Sequence, residues 1–173
     1  MQILLISLLL SFLRSAFFIT FITMKMKFFF PAFCFVSSVM FAQTPVAVKI
    51  LEYSMKNLGK KIDRGECWDL ANGALTYANA DWEAPFKFGD KQDYQKQGLK
   101  PADILQFTNI KMKMPNGGMS FPKHTAIVYR ANGNQVTLIQ QNFNNKRYVD
   151  TLTISLDYVK GGKIEAFRPK GKM

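Results

Sequence analysis

The stretch Arg64-Gly65-Glu66-Cys67-Trp68-Asp69-Leu70-Ala71 opens a segment whose apolar residues recur at helical spacing. Residues 68–80 are rich in alanine and leucine, which predicts a helix. Cys67 would lie in the first turn of that helix, where free N–H groups and the helix dipole favour a thiolate. Such a position is typical of a cysteine nucleophile, whereas most free cysteines are small buried apolar residues. Position alone leaves both interpretations of Cys67 open.

The first 42 residues differ in composition from the rest of the chain. Two apolar runs, at 3–22 and 28–41, are separated by Lys25 and Lys27. The second run follows basic residues and leads to a small residue, Ala42, as in a signal peptide. We therefore expect cleavage near Ala42, an exported protein that is periplasmic or secreted, and a single domain over residues 43–173.

The first apolar run needs a separate explanation. We expect translation to start at Met24 or Met26, which would make residues 3–22 an upstream extension without a role. The alternative is that this run anchors the protein in a membrane, because it is about long enough to span one. Arg14 in its middle makes that alternative costly.

Export would leave only one of the two cysteines in the mature protein. Cys34 would leave with the leader, so the mature chain would keep one cysteine, Cys67, and one histidine, His124. A single cysteine cannot form an internal disulfide, and one reason to keep a free thiol in an oxidising compartment is catalysis with a histidine base. A metal site of ordinary composition is not expected from one histidine and one cysteine. We expect no metal or organic cofactor.

The chain is strongly basic, with 23 Lys and Arg against 12 Asp and Glu. Without the leader the balance is 20 against 12, a formal net charge of about +8. This charge favours anionic partners, and for an exported protein we expect an anionic cell envelope. The lysines are spread along the chain and no nucleic-acid-binding motif is present, so nucleic acid is not an expected partner. A solvated basic surface without a specific partner is the alternative.

The remaining chain predicts helices first and strands afterwards. A helix is expected over 46–58, ended by Gly59, and an ordered loop over 81–97. Strands are predicted at 102–107, 124–130, 136–141, 148–156 and 164–168, with turns at 115–118, 132–134, 144–146 and 161–162. This order indicates an α+β fold with five or six antiparallel strands.

The predicted strands suggest partners for Cys67. Because side chains alternate between the faces of a strand, His124 and Ala126 would share one face, and Ala126 would leave room for a helix to pack closely. On the next strand, Gln140 and Asn142 would share a face, and either could hydrogen-bond the imidazole of His124. Each of these residues also has an ordinary structural explanation, as a strand-edge residue or as part of a turn.

Four segments together resemble the CHAP family, the cysteine- and histidine-dependent amidohydrolases and peptidases of the papain-like superfamily. These segments are residues 65–71, 100–107, 124–128 and 136–142, and the resemblance covers about residues 64–169. It implies a papain-like CHAP fold, with N-terminal helices packed on a five- to six-stranded antiparallel sheet. No single segment is decisive, but their order and spacing are fairly specific.

The resemblance also implies roles for individual residues. Cys67 would be the nucleophile, His124 the general base, and Asn142 the family's asparagine. Gln140 stands where an acidic residue is common, and Ala102 stands where the family has glycine. Because Gln140 carries no charge, it would orient His124 without stabilising an imidazolium ion. The predicted loop 111–123, which leads directly into His124, is expected to border the substrate cleft.

For an exported member, the resemblance implies an amidase or endopeptidase acting on peptidoglycan peptides, as a monomer. Two alternatives from other classes stay open. One is a catalytically inactive envelope-binding module with the same fold, which the glutamine at position 140 favours. The other is a structural protein in which Cys67 is simply buried.

Overall fold

The computed structural model describes residues 43–172. Two main helices come first, α1 (Pro45–Lys56) and α2 (Cys67–Tyr77), followed by the short strand β1 (Asp90–Gln92) and a single helical turn, α3 (Tyr94–Gln97). The strands β2 (Ile104–Met114), β3 (Gly117–Asn132), β4 (Gln135–Phe143), β5 (Lys146–Ser155) and β6 (Val159–Arg168) complete the chain, with a 3₁₀ turn (Leu156–Tyr158) before β6.

The strands form one six-stranded sheet in the order β1-β6-β2-β3-β4-β5, and every pairing between neighbours is antiparallel. Consecutive strands from β2 to β5 are joined by hairpins, whereas β6 crosses back to pair with β2. The predicted α+β class with helices before an antiparallel sheet is confirmed, with six strands within the described residues.

Each face of the sheet has its own apolar core. One core joins α1 and α2 to the sheet through residues such as Leu70, Leu75, Ile127 and Ile139. The other is built from strand residues, with large buried side chains that include Phe107. Because neighbouring residues of a strand face opposite sides, β3 and β4 contribute to both cores along their length.

One packing expectation is wrong. Ala126 does not face a helix, because it lies in the second core, which is formed by the strands. The helices pack instead on the face that carries Ile127, the next residue along β3. Ala126 is therefore buried on the face of the sheet that the helices do not cover.

Several element boundaries also differ from the sequence predictions. The predicted loop 111–123, with its turn at 115–118, is a hairpin, because β2 and β3 extend toward each other and only Pro115 and Asn116 connect them. The predicted loop 81–97 contains β1 and α3. The helix that begins at Cys67 ends at Tyr77, before Asn79 adopts a positive φ of 51°.

The pair Gly161-Gly162 lies inside β6 and is not a turn. At Gly162, with φ of 94°, an added Cβ would lie 2.4 Å from the carbonyl oxygen of Asn109. The register between β2 and β6 shifts at this point. The glycine therefore permits a close approach of two backbones at a bulge, which a sequence pattern does not distinguish from a turn.

The predicted signal peptide, its cleavage near Ala42 and the anchor at 3–22 lie outside the described residues. Between residues 43 and 172, none of the helices combines the length and apolar character needed to cross a bilayer.

Candidate active site

Cys67 is the first residue of α2, as the sequence predicted. Glu66 is the N-cap residue, and its backbone N–H donates to Oδ2 of Asp69 at 2.9 Å. The buried Asp69 carboxylate also accepts from Nη2 of Arg64 at 3.3 Å. An acidic side chain in the first turn stabilises the helix start, so the position of Cys67 is fixed by its own neighbours.

The loop before Cys67 is held to the sheet by Gln141, which is fully buried. Its side-chain oxygen accepts from the N–H of Ile62 at 2.8 Å, and its Nε2 donates to the carbonyl oxygens of Ile62 at 3.1 Å and Glu66 at 2.9 Å. A buried amide with three partners fixes both ends of the loop. One β4 side chain thus sets where α2 begins.

Gly65 allows the same loop to pass close to β5. Its φ is 86°, and an added Cβ would lie 3.0 Å from Cβ of Arg147. A larger residue there would be strained by its conformation and by this contact.

The sulfur of Cys67 lies beside the edge of β3 at Thr125. Thr125 is close enough to affect the pKa of the thiol, and its hydroxyl donates to Oε1 of Gln106 at 2.7 Å. The backbone N–H and C=O of Val128 both bond to the segment before β2. Because the backbone groups of successive strand residues point to alternate sides, the N–H of Thr125, three residues earlier, points to the other side, toward β4. Because β4 pairs with β3 from Ala126 onward, this N–H lies outside the ladder and faces Cys67.

Burial raises the pKa of the Cys67 thiol, and the neighbouring Glu66 carboxylate raises it further. The interactions from Thr125 and from the N–H of Cys67 itself lower the pKa but do not outweigh the burial. The expectation that the helix start makes Cys67 a thiolate is therefore wrong for this structure. The side chain is a thiol at neutral pH.

His124 points into the core on the other face of the sheet. Its ring stacks on Phe121 with centroids 5.3 Å apart, and Phe107 and Phe143 lie at 6.3 and 6.1 Å. Nε2 of His124 is 2.7 Å from Oε1 of Gln140. The structure therefore brings together two of the four predicted site residues by a direct hydrogen bond, as their shared face implied.

Burial lowers the pKa of His124, against smaller opposing effects of the Gln140 hydrogen bond and the Asp150 charge. The imidazole is consequently neutral at pH 7. Together with the raised pKa of Cys67, this gives a neutral thiol and a neutral imidazole. This uncharged pair differs from the thiolate that the helix start alone predicts.

Asn142 does not contact His124. Its Nδ2 donates to Oε2 of Glu66 at 3.0 Å, beside the start of α2. Asn142 has a φ of 61°, and the β4–β5 register shifts between Gln141 and Phe143. This bulge interrupts the alternation that would have kept Asn142 on the face of Gln140.

Cys67 and His124 make separate contacts. Within residues 43–172, no hydrogen bond joins the sulfur to the imidazole: the thiol interacts with Thr125 and the ring with Gln140. The two groups are nevertheless tied to consecutive residues of β3 at its open edge.

Ala102, where the resemblance has glycine, adopts a φ of 71° and is buried. That conformation is natural for glycine, and an alanine tolerates it at some cost. The adjacent Asp103 is bound by Arg168 through two hydrogen bonds of 2.9 Å, which holds this turn against β6.

Other parts of the described chain add little to the site. A surface cavity of about 520 Å³ lies between α3, the β3–β4 turn and the 3₁₀ turn, and it shares no residue with the candidate site. Over residues 43–172, no group of three His, Cys, Asp or Glu side chains is arranged to hold a metal ion.

A comparison with models of protein families shows which family this chain belongs to. The profile described as the AIM3/BBC1 cysteine proteinase-fold domain matches residues 36–173. The chain belongs to this family. A cysteine proteinase fold agrees with the papain-like fold that the sequence predicted, while the finer assignment to CHAP proteins stays a prediction.

A curated relative is "Altered inheritance of mitochondria protein 3" of Debaryomyces hansenii, which is 27% identical over 142 residues. The match covers 69% of this chain and 15% of the relative, so the domain spans a small part of that protein's length.

Two solved structures are also similar to the domain. One is the crystal structure of Ly7917, with a TM-score of 0.44 and 16% identity over 70% of this chain and 62% of that one. The other is Ly7917 with the hydrolyzing product of MDP, with a TM-score of 0.46 and 18% identity over 71% and 62% of the two chains.

Sequence reasoning missed three residues of the site. Thr125 and Gln141 each follow a residue that was singled out, and their side chains face the helices because of strand alternation. Asp150 is the cross-strand partner of Gln140. Extending the hairpin register across the turn at 144–146 would have indicated it.

Proposed function

We propose that the domain is a cysteine hydrolase that cleaves amide bonds by transferring an acyl group to Cys67. One arrangement supports this proposal above all. Cys67 begins α2 close to Thr125, and the residue before Thr125, His124, has its Nε2 engaged by Gln140. Nδ1, the ring nitrogen nearer the backbone, is thereby the one left to act as a base.

The proposed reaction begins with a neutral thiol and a neutral imidazole. Nδ1 of His124 takes the proton of Cys67 as the sulfur attacks the carbonyl carbon. The imidazolium then gives its proton to the leaving nitrogen as the C–N bond breaks, which leaves a thioester on Cys67. A water molecule, deprotonated by His124, attacks the thioester, and the sulfur leaves as the carboxylic acid forms.

The backbone N–H of Cys67 is the proposed donor to the oxyanion of the tetrahedral intermediate. It lies at the start of α2, where N–H groups have no partner within the helix. A single donor of this kind contributes about 3–4 kcal/mol of transition-state stabilisation in acyl-transfer enzymes.

The sulfur must turn from Thr125 toward Nδ1 of His124 for this reaction. Hydrogen bonds between catalytic groups are often long in the free enzyme and shorten when substrate binds. The Cys67 side chain is half-buried at the start of α2, and the ring of His124 is held by three phenylalanines, so the proposed movement is that of the sulfur.

We propose peptidoglycan peptides as the substrate class and export as the route to them. The support is the signal-peptide pattern and the basic charge, which suits an anionic envelope. The family match supports only the cysteine proteinase fold, and the relative's name concerns the inheritance of mitochondria.

The test is to incubate purified protein with peptidoglycan in reducing buffer and identify released fragments by mass spectrometry. Cys67→Ala should release none, whereas Met55→Ala, a control substitution at an exposed residue of α1, should match the parent. The fragment masses would name the bond. No fragments from the parent, with several wall types, would reject a peptidoglycan substrate.

A second candidate is a catalytically inactive module that binds the envelope. The separate contacts of the thiol and the imidazole, and the raised pKa of Cys67, favour it. This candidate predicts that the parent and Cys67→Ala sediment equally with insoluble cell wall, with no fragments from either.

A further inference from the structure

Asp150 lies on β5 opposite Gln140, in the register that pairs the two residues across the β4–β5 hairpin. Its neighbour Val149 belongs to the core beneath the helices, so the side chain of Asp150 is on the other face, with His124. Nε2 of Gln140 donates to Oδ1 of Asp150 at 3.4 Å. Asp150, Gln140 and His124 thus form one hydrogen-bonded chain across three strands.

The direction of each hydrogen bond in this chain follows from chemistry. A carboxylate only accepts, so Asp150 requires the NH₂ group of Gln140 to face it. The carbonyl oxygen of the same amide must then face His124, because Gln140 is fully buried and has one group at each end. A carbonyl oxygen only accepts, so Nε2 of His124 must carry the proton.

We propose that Asp150 is a positioning residue that acts through Gln140, holding the proton of neutral His124 on Nε2 and leaving Nδ1 free to accept from Cys67. The proposal rests on the proposed hydrolase mechanism for its purpose, but the proton position is a property of the resting protein.

Asp150 also supplies the charge that Gln140 lacks. The other neighbours of the ring are Phe107, Phe121 and Phe143, and among the described residues the charge acting on His124 is that of Asp150. That charge raises the pKa of His124 and so favours the imidazolium that forms during acyl transfer. Asp150, which accepts from the Gln140 amide on the neighbouring strand, thus takes the place of the acidic residue that is common in the CHAP family at the position of Gln140.

The first test is the tautomer of His124 in the parent protein. The full chain has a single histidine, so the ¹⁵N signals of its imidazole are identified without assignment. At a pH above the pKa of His124, Nε2 should show the shift of a protonated nitrogen and Nδ1 that of an unprotonated one. The opposite tautomer would overturn the proposal whether or not the protein is an enzyme.

The second test removes the charge with Asp150→Asn, which preserves the size of the side chain. The pKa of His124, followed by NMR titration, should fall because an attracting anion is lost. Asp81→Asn is the matched control, since it makes the same change at a carboxylate that faces Lys170. Equal titration curves for the parent and Asp150→Asn would overturn the proposal.

Activity gives a third readout, which separates the role of Asp150 from the proposed hydrolase function. If fragments are released, Asp150→Asn should lower kcat by about threefold to tenfold, a part of the 10²–10⁴ typical of general acid–base catalysis, and shift the acid limb of the pH profile downward. An active parent whose pH profile is unchanged by Asp150→Asn would reject the role of Asp150 but keep the proposed hydrolase. An inactive parent with the expected tautomer and titration would reject the hydrolase and keep the role of Asp150.

Discussion

Gln140 and Gln141 are adjacent, identical in type and fully buried, yet they serve opposite faces of the sheet. Gln140 holds the imidazole of His124 on the face that is lined by phenylalanines. Gln141 holds the loop before Cys67 on the face that is covered by helices. One dipeptide of β4 therefore positions both the proposed base and the proposed nucleophile.

The difference between the two faces shows why the proposed site lies at a strand edge. Residues on one face cannot reach the other through the sheet, so groups from both faces can meet only where pairing stops. β4 begins to pair with β3 at Ala126, which leaves the stretch just before it open on that side. Cys67 occupies this opening, beside the backbone that bears His124.

The largest expected effect concerns the imidazole face. His124→Gln keeps a buried amide that can bond to Gln140 but removes the base, so fragment release should fall by about 10²–10⁴-fold. The thermal midpoint should fall because the stacking on Phe121 is lost, so fragment release is compared well below the midpoint of the variant. Activity close to that of the parent would show that Cys67 reacts without His124.

The next effect compares the two glutamines directly by urea unfolding. Gln141→Leu leaves three backbone groups of the loop without partners and should lower the free energy of unfolding by about 2–4 kcal/mol. Gln140→Leu leaves His124 and Asp150 without a partner and should cost less, about 1–2 kcal/mol. Gln97→Leu, at the exposed end of α3, is the control. Equal costs at 140 and 141 would contradict the assignment of the loop to Gln141.

A smaller effect is the pH dependence of stability that arises from His124. Its pKa in the folded protein lies below the usual 6.5, so the unfolded chain binds the proton more readily. The contribution of His124 to the free energy of unfolding should therefore have its full value above pH 6.5 and be lost as the pH decreases through that value. His124→Gln should flatten this part of the curve, and an equal slope in both proteins would show that His124 is not its source.

The smallest effect concerns the reactivity of Cys67 on the helix face. Because burial raises its pKa above the usual 9.0, alkylation by iodoacetamide should be slow at pH 7 and still be rising at pH 9. From residue 43 onward Cys67 is the single cysteine of the sequence, so peptide mass spectrometry measures its alkylation directly. A fast rate that is constant across neutral pH would instead indicate a thiolate paired with an imidazolium.

Much of this arrangement could be predicted from the sequence because it depends on short-range rules. The helix start at Cys67 follows from local periodicity, and the shared face of His124 and Gln140 follows from strand alternation and a hairpin. The helix dipole alone predicted a thiolate, but burial is a property of the folded chain and reversed that expectation.

The remaining features depend on contacts that are distant in sequence or on irregular backbone. Gln141 reaches a loop 79 residues earlier, which no local pattern indicates. Asn142 leaves its expected face because a positive φ interrupts the strand. The long hairpin of β2 and β3 was hidden because Pro115-Asn116-Gly117-Gly118 resembles a loop, although two of these residues are in the strand.

The central claim is that Cys67 and His124 act together although their contacts lie on different sides of β3. A double-mutant cycle tests this most directly, by measuring fragment release for the parent, Cys67→Ser, His124→Gln and the double variant. Residues that act as one unit give strongly non-additive losses, so the double variant should be no slower than the slower single variant. Losses that multiply would show two independent roles and contradict the account.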